Sequence, residues 1–291
     1  MTREIINKIA NLSCFQDPQD ITALGGGLTN VNLRVRDGTQ QFVVRLGEDI
    51  AEHGVMRWNE LALSQAASAA GFSPKVIHHE PGVLVLEFLN AQTFSEADVR
   101  NPDNLQRIIS MITHVHRDLA GHLSQPVLTF WPFQVNRSYA ARLHTDGSHH
   151  AKALPAMLAQ LNELEAAVGQ IDMVIGHNDL LAANILDDGD KLWLIDWEYG
   201  GYNSPLFDLA GLASNNALSE DQERAMLAQY FETSPEKHWR AYSAMKCTSL
   251  MRETLWSMTS EIHSELDVDY GAYTSENMER LTSALADFAQ T

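Results

Sequence analysis

Cysteine is scarce, with Cys14 and Cys247 the only two in 291 residues. Two thiols so far apart exclude a disulfide framework and a cysteine-based metal knuckle, and they suit a reducing, cytoplasmic compartment. Positive charge is also short. Twenty lysines and arginines face 38 aspartates and glutamates, for a formal net charge of −18. That excess opposes binding to nucleic acid or to an anionic membrane, and it attracts small cations. Long apolar runs are missing too: even Val83 to Leu89 is short and interrupted by Glu87, against the roughly 20 residues a membrane span needs. The first ten residues carry Arg3, Glu4 and Lys8 among apolar positions, which predicts a short amphipathic helix rather than the core of a signal peptide. There is no internal repeat and no low-complexity segment.

What is present is a chain that is 45% hydrophobic, enough for one large domain or two lobes around a cleft. From Ile21 to Leu89 the pattern is mostly short strands. Val31 to Arg36 alternates, Asp37-Gly38 is a hairpin turn, and Gln41 to Leu46 returns. Asp49 to Ala70 has helical spacing and ends at Gly71. Lys75 to His79, the turn Pro81-Gly82 and Val83 to Leu89 form a second hairpin, whose last strand is apolar on both faces and therefore expected inside the sheet. Beyond Asn90 the pattern turns helical, at 104–122, 154–168, 220–231, 239–263 and 275–288, interrupted by a β-element from Met173 to Trp197. The expectation is an α+β chain of two parts: 1–89, β-rich with one main helix, and 90–291, larger and mostly helical.

The densest chemistry is His177-Asn178-Asp179, then Asn184, then Asp196 at the end of an apolar strand. Phosphoryl transfer needs a carboxylate to aim the attacking hydroxyl and hard oxygen ligands for a Mg²⁺ that bridges the nucleotide phosphates. Asp179 can supply the first, Asn184 and Asp196 the second. A hairpin turning at Asp187 to Asp190 returns both potential ligands to its open end. Any one of these residues alone would read as a turn former or cap. His144, His149 and His150 lack cysteine partners or helical spacing and read as an exposed loop rather than a metal site.

This arrangement resembles the catalytic loop and metal-binding aspartate of the aminoglycoside phosphotransferase and choline kinase superfamily. The segments Ile195-Asp196-Trp197-Glu198-Tyr199-Gly200-Gly201-Tyr202-Asn203 and Phe207-Asp208-Leu209-Ala210 sharpen it towards choline/ethanolamine kinases, over about residues 20 to 285. The resemblance implies a two-lobed protein-kinase-like fold, ATP and Mg²⁺ as cofactors, and a small amino alcohol as substrate. It places the phosphates under Gly25, Gly26, Gly27, Leu28, Thr29 and Asn30, where glycines let backbone amides approach anions. Arg45 takes the place of the phosphate-binding lysine of protein kinases, Glu60 becomes its ion-pair partner, and Glu87 to Leu89 becomes the hinge that reads adenine. His177 and Asp208 would brace the catalytic loop.

A quaternary ammonium donates no hydrogen bond, so it must be held by aromatic faces and negative charge, at roughly 0.5–2 kcal/mol per ring. Tyr199, Trp256, Tyr270 and Tyr273 match the family's aromatic positions, with Glu198 as a nearby carboxylate. Two positions depart from the pattern: Glu253 stands where the helix should carry a second aromatic, and Asn215 or Asn216 where an acid is expected. Glu253, Glu261, Asp267 or Asp269 could restore the charge. The choice of acceptor therefore stays open among choline, a related amino alcohol, thiamine, an aminoglycoside and an amino sugar, with a catalytically inactive nucleotide-binding module as the non-enzymatic rival.

Overall fold

In a computed structural model, which describes residues 3–25, 30–264 and 266–291, strand alternation becomes a buried sheet. The strands β1 (Pro18–Ala23), β2 (Val31–Asp37), β3 (Gln40–Leu46), β4 (Val76–Glu80) and β5 (Val83–Glu87) form an antiparallel sheet in the order β1-β2-β3-β5-β4. Leu33 and Val35 of β2, Phe42, Val44 and Leu46 of β3, and Val83 and Val85 of β5 are all buried, as the period of two requires for side chains on one face. Helix α1 (Arg3–Ala10) contributes Ile9 to the same core, followed by Leu12 and Phe15. The expected internal position of Val83 to Leu89 is observed, β5 lying between β3 and β4. The expected helix from Asp49 is shorter, because Ile50 and Val55 bridge each other around Gly54, whose φ of +72° is not helical. Helix α2 therefore runs only from Arg57–Ala69.

The chain divides into two compact units. The first comprises Met1–Phe94, Asp118–Val127 and Ala183–Glu198. The short strand β6 (Gln92–Thr93) pairs with β8 (Ile185–Asp187), which pairs with β9 (Leu192–Leu194). The hairpin is pinned by the loop after α2: the Leu194 amide donates to the Phe72 carbonyl at 2.8 Å, and the Trp197 indole to Ser73 Oγ at 2.7 Å. We propose residue 89 as the boundary between the nucleotide-binding lobe and the catalytic lobe.

The second unit comprises Ser95–Arg117, Leu128–Ala182 and Tyr199–Thr291. It contains α3 (Glu96–Arg100), most of α4 (Pro102–Asp118), α5 (Pro132–Thr145), α6 (Leu154–Val168), β7 (Val174–Gly176), β10 (Gly201–Asn203), α7 (Pro205–Asn215), α8 (Glu220–Phe231), α9 (Glu236–His263) and α10 (Tyr270–Phe288). Helix α9 is its axis, buried almost all round from Ala244 to Ser260 against α5, α6, α7 and α10. Sequence periodicity did not reveal α5 and α7. Helix α7 is buried on every side from Leu206 to Ala213, so it has no polar face to mark a period.

Candidate active site

In the first unit the centre is Arg45 on β3, whose side chain is only 7% exposed. Its Nη1 lies 3.1 Å from Glu60 Oε1, and its Nη2 meets Asp196 Oδ1 at 2.6 Å and Glu198 Oε2 at 3.0 Å. Burial pulls the guanidinium towards losing its proton, but Asp196, Glu60 and Glu198 together outweigh it and leave its pKa raised. Burial has the opposite sign for Glu60, whose pKa is raised despite Arg45 and Arg57. Arg57, at the start of α2, is a second cation that the sequence reading missed. It contacts Glu60 at 2.7 Å, Glu198 at 3.1 Å and Asn30 Oδ1 at 2.7 Å. Its spacing of three from Glu60 on one helix was the available signal.

Asn30 also donates to Glu198 Oε2, at 2.9 Å. Gly47 permits this convergence, since a Cβ there would stand 2.5 Å from Asn30 Oδ1. The expected Arg45–Glu60 pair is thus present. Glu198, expected beside the acceptor, contacts Arg45, Arg57 and Asn30. Gly25 is described and has open space at its Cα, whereas Gly26, Gly27, Leu28 and Thr29 lie outside the described residues. At the hinge, the Glu87 amide donates to the Lys75 carbonyl at 2.9 Å and the Phe88 amide to the Gln41 carbonyl at 3.2 Å. Leu89 follows, half-buried.

Asn184 and Asp196 flank the paired strands β8 and β9, and the Ile195 amide donates to the Asn184 carbonyl at 3.0 Å. Asp196 sits at φ +69°, a left-handed conformation uncommon for a residue with a side chain. One carboxylate and one amide oxygen are the donor chemistry Mg²⁺ accepts when nucleotide phosphates complete its shell. These residues therefore fit that ion.

In the second unit the loop carrying Asp179 is clamped from beneath. Asp208, fully buried on α7, accepts the His177 amide at 2.8 Å, the Asn178 amide at 2.6 Å and His116 Nε2 at 2.9 Å. The expected bracing by His177 and Asp208 therefore runs through backbone amides, and it includes His116, which the sequence reading missed. Burial favours the neutral carboxyl of Asp208, but the hydrogen bond and charge of His116, with His177, hold its pKa below the ordinary value. Asn178 takes the left-handed φ of +65°, with its side chain bonded to the Tyr199 carbonyl at 2.9 Å and to Asn203 at 2.8 Å. Gly176 is required here, because a Cβ would lie 2.9 Å from Asn178 Oδ1. Asn216, where an acid was expected, is buried and donates to the Leu180 carbonyl at 3.1 Å, bracing the residue after Asp179.

Because the lowered pKa makes Asp208 stabilising above the unfolded carboxylate pKa and lost as pH falls through its folded value, Asp208→Ala should destabilise by about 3–5 kcal/mol at pH 7. The gap from the parent should narrow in urea titrations taken below roughly pH 4. A gap that widens in acid would contradict the assignment.

Four aromatics expected at the acceptor come together in this unit. The Trp256 indole donates to Tyr199 Oη at 3.1 Å, and its ring meets those of Tyr270 and Tyr273 edge-on at 5.9 and 6.4 Å. Of the four candidate acids, only Glu253 joins them, accepting from Tyr273 Oη at 2.7 Å. Glu261 pairs with His149 and His150, Asp269 caps α10 through the Ala272 amide, and Asp267 is exposed. His149 and His150 thus face a carboxylate instead of forming a bare loop. Arg252, which the sequence reading missed, is buried beside Glu253 at 2.9 Å and over the Tyr199 ring at 4.4 Å.

The sequence pattern of choline/ethanolamine kinase matches residues 21–242. Protein LicA of Haemophilus influenzae is 24% identical over 270 residues, covering 87% of this chain and 76% of that protein. A probable ethanolamine kinase of Arabidopsis thaliana is 26% identical over 290 residues, covering 87% and 76%. Among solved structures, choline kinase LicA from Streptococcus pneumoniae superposes with a TM-score of 0.79 at 21% identity, over 98% of both chains.

Proposed function

The chain belongs to the choline/ethanolamine kinase family, phosphotransferases with an alcohol acceptor, and we propose that it moves the γ-phosphate of ATP onto the hydroxyl of choline or a related amino alcohol. The observation that carries this reading is Arg45, buried and held at once by the helix glutamate Glu60 and by Asp196. A cation pinned by a helix carboxylate and the metal-ligand candidate is what a phosphoryl-transfer centre needs to meet the nucleotide phosphates in one orientation.

Arg45 is assigned to the phosphates, with Glu60 orienting it and Arg57 fixing Glu60 and Glu198 in turn. Gly25 to Asn30 is assigned to cover the phosphates, and Glu87 with Leu89 to read adenine. Asn184 and Asp196 would hold Mg²⁺, which when bound neutralises charge on the transferring phosphoryl group. Asp179 aims the acceptor hydroxyl and takes its proton late, as a loose transition state requires. Trp256, Tyr199, Tyr270 and Tyr273 form the acceptor side. Both cysteines are free, and no helix among the described residues is long and apolar enough to cross a membrane. The formal net charge of −18 and the need for ATP favour a cytoplasmic enzyme that binds neither nucleic acid nor an anionic membrane.

Consumption of ATP in the presence of Mg²⁺, measured against choline, ethanolamine, thiamine and an aminoglycoside, tests the reading. Turnover with an amino alcohol is the expected result. Turnover with thiamine or the aminoglycoside alone would keep the kinase and reassign the acceptor, and nucleotide binding without turnover would leave an inactive module.

A further inference from the structure

The acceptor cluster differs from a cage built for a quaternary ammonium in what its ring faces already touch. Trp256, Tyr199 and Tyr270 are 6%, 7% and 6% exposed. Edge-on packing of Tyr270 and Tyr273 against Trp256, and of Phe130 against Tyr199 at 6.3 Å, engages these rings with one another. Tyr199 also carries a cation of its own, the Arg252 guanidinium, with its central carbon 4.4 Å from the ring centroid. A second cation on that face would meet the first at close range in a buried setting, where like charges repel strongly. The wall that position 253 would add if aromatic is a carboxylate instead.

That carboxylate is more exposed than its Arg252 partner, whose side chain is only 6% exposed. Glu253 lies one helical turn before Trp256 on α9, on the same face, and its side chain is 20% exposed. Tyr273 Oη donates to Oε1 at 2.7 Å and Arg252 Nη1 to Oε2 at 2.9 Å. A carboxylate oxygen accepts more than one hydrogen bond, so these two contacts orient Glu253 without exhausting it.

We propose that the Arg252–Glu253 pair selects an acceptor whose ammonium keeps at least one N–H, such as ethanolamine or its mono- or dimethyl derivative, in preference to choline. The inference rests on the amino-alcohol kinase reading above. Glu253 accepts the ammonium N–H, and Arg252 keeps a quaternary ammonium off the Tyr199 face while holding the Glu253 carboxylate in place.

The test is a steady-state series with ethanolamine, N-methylethanolamine, N,N-dimethylethanolamine and choline, which share the hydroxyl and the charge but lose N–H groups one by one. The three N–H-bearing alcohols should be used comparably. Choline should fall roughly 10- to 100-fold in kcat/KM, mostly through KM, the worth of one charge-assisted hydrogen bond. Glu253→Gln, checked for folding by its melting temperature and ATP affinity, should raise KM for dimethylethanolamine and narrow the ratio to within about fivefold. Choline used as well as dimethylethanolamine by the parent protein would overturn the inference and leave the kinase intact. If none of the four is phosphorylated while ATP still binds, the amino-alcohol reading falls, and this inference with it. The parent series decides between these results without the variant.

Discussion

Asp179→Asn should lower kcat by roughly 10²- to 10⁴-fold with the protein still folded and ATP still bound. The loop is held by several groups besides this carboxylate. Asp208 holds the amides of His177 and Asn178 at 2.8 and 2.6 Å, and the Asn178 side chain is fixed by the Tyr199 carbonyl and Asn203. Asn216 secures the Leu180 carbonyl on the other side. Asparagine therefore retains the backbone path and most of the side-chain volume while losing the ability to accept a proton. The loss should fall on kcat, with KM for ATP little changed, since the group acts on the acceptor hydroxyl. Turnover within a few fold of the parent, in a variant with an unchanged melting temperature, would remove Asp179 from the reaction.

Arg45→Met should be the most damaging change in the first unit, costing about 3–5 kcal/mol of stability along with nucleotide binding. Arg45 and Arg57 now face Glu60, Asp196 and Glu198. Without Arg45, Glu60 and Glu198 would share the Arg57 guanidinium and Asp196 would lose the Arg45 ion pair. The pH dependence has a definite sign. The pKa of Glu60 is already raised by burial against the pull of both arginines, and losing Arg45 raises it further. A carboxyl whose folded pKa lies above its unfolded value favours the fold when protonated and opposes it once pH passes through the folded pKa. The variant should therefore be closer to the parent at pH 5 than at pH 8 in urea unfolding, and adding Glu60→Gln should recover part of the loss at pH 8. A variant as stable as the parent at pH 8 would show that the cluster does not depend on Arg45.

Much of the first unit was legible because each of its strands has one face turned to a single core, so Leu33, Val35, Phe42, Val44 and Leu46 repeat every second residue. The turn at Asp37-Gly38 was legible for a local reason, the left-handed φ of +59° that Gly38 adopts without strain. Helix α6 was predicted at its observed ends, 154 and 168, whereas α7 was missed because burial on all sides erases the period. The spacing of Asp179, Asn184 and Asp196 carried the catalytic reading, since it joins a loop residue to the two ends of one hairpin.

Charge partners were the least legible feature. Glu198 reads from the sequence as a neighbour of Tyr199 and the acceptor, yet its carboxylate meets Arg45, 153 positions away, and Arg57, 141 positions away. Glu253, Glu261, Asp267 and Asp269 looked equivalent along the chain, and only Glu253 reaches the aromatic cluster. The sequence by itself determined what local rules govern: strand faces, turns, the helix end before Gly71, and the order of the catalytic groups. Tertiary structure alone decided which carboxylate meets which cation, because electrostatic pairing depends on distance through space and on burial, neither of which follows from separation along the chain.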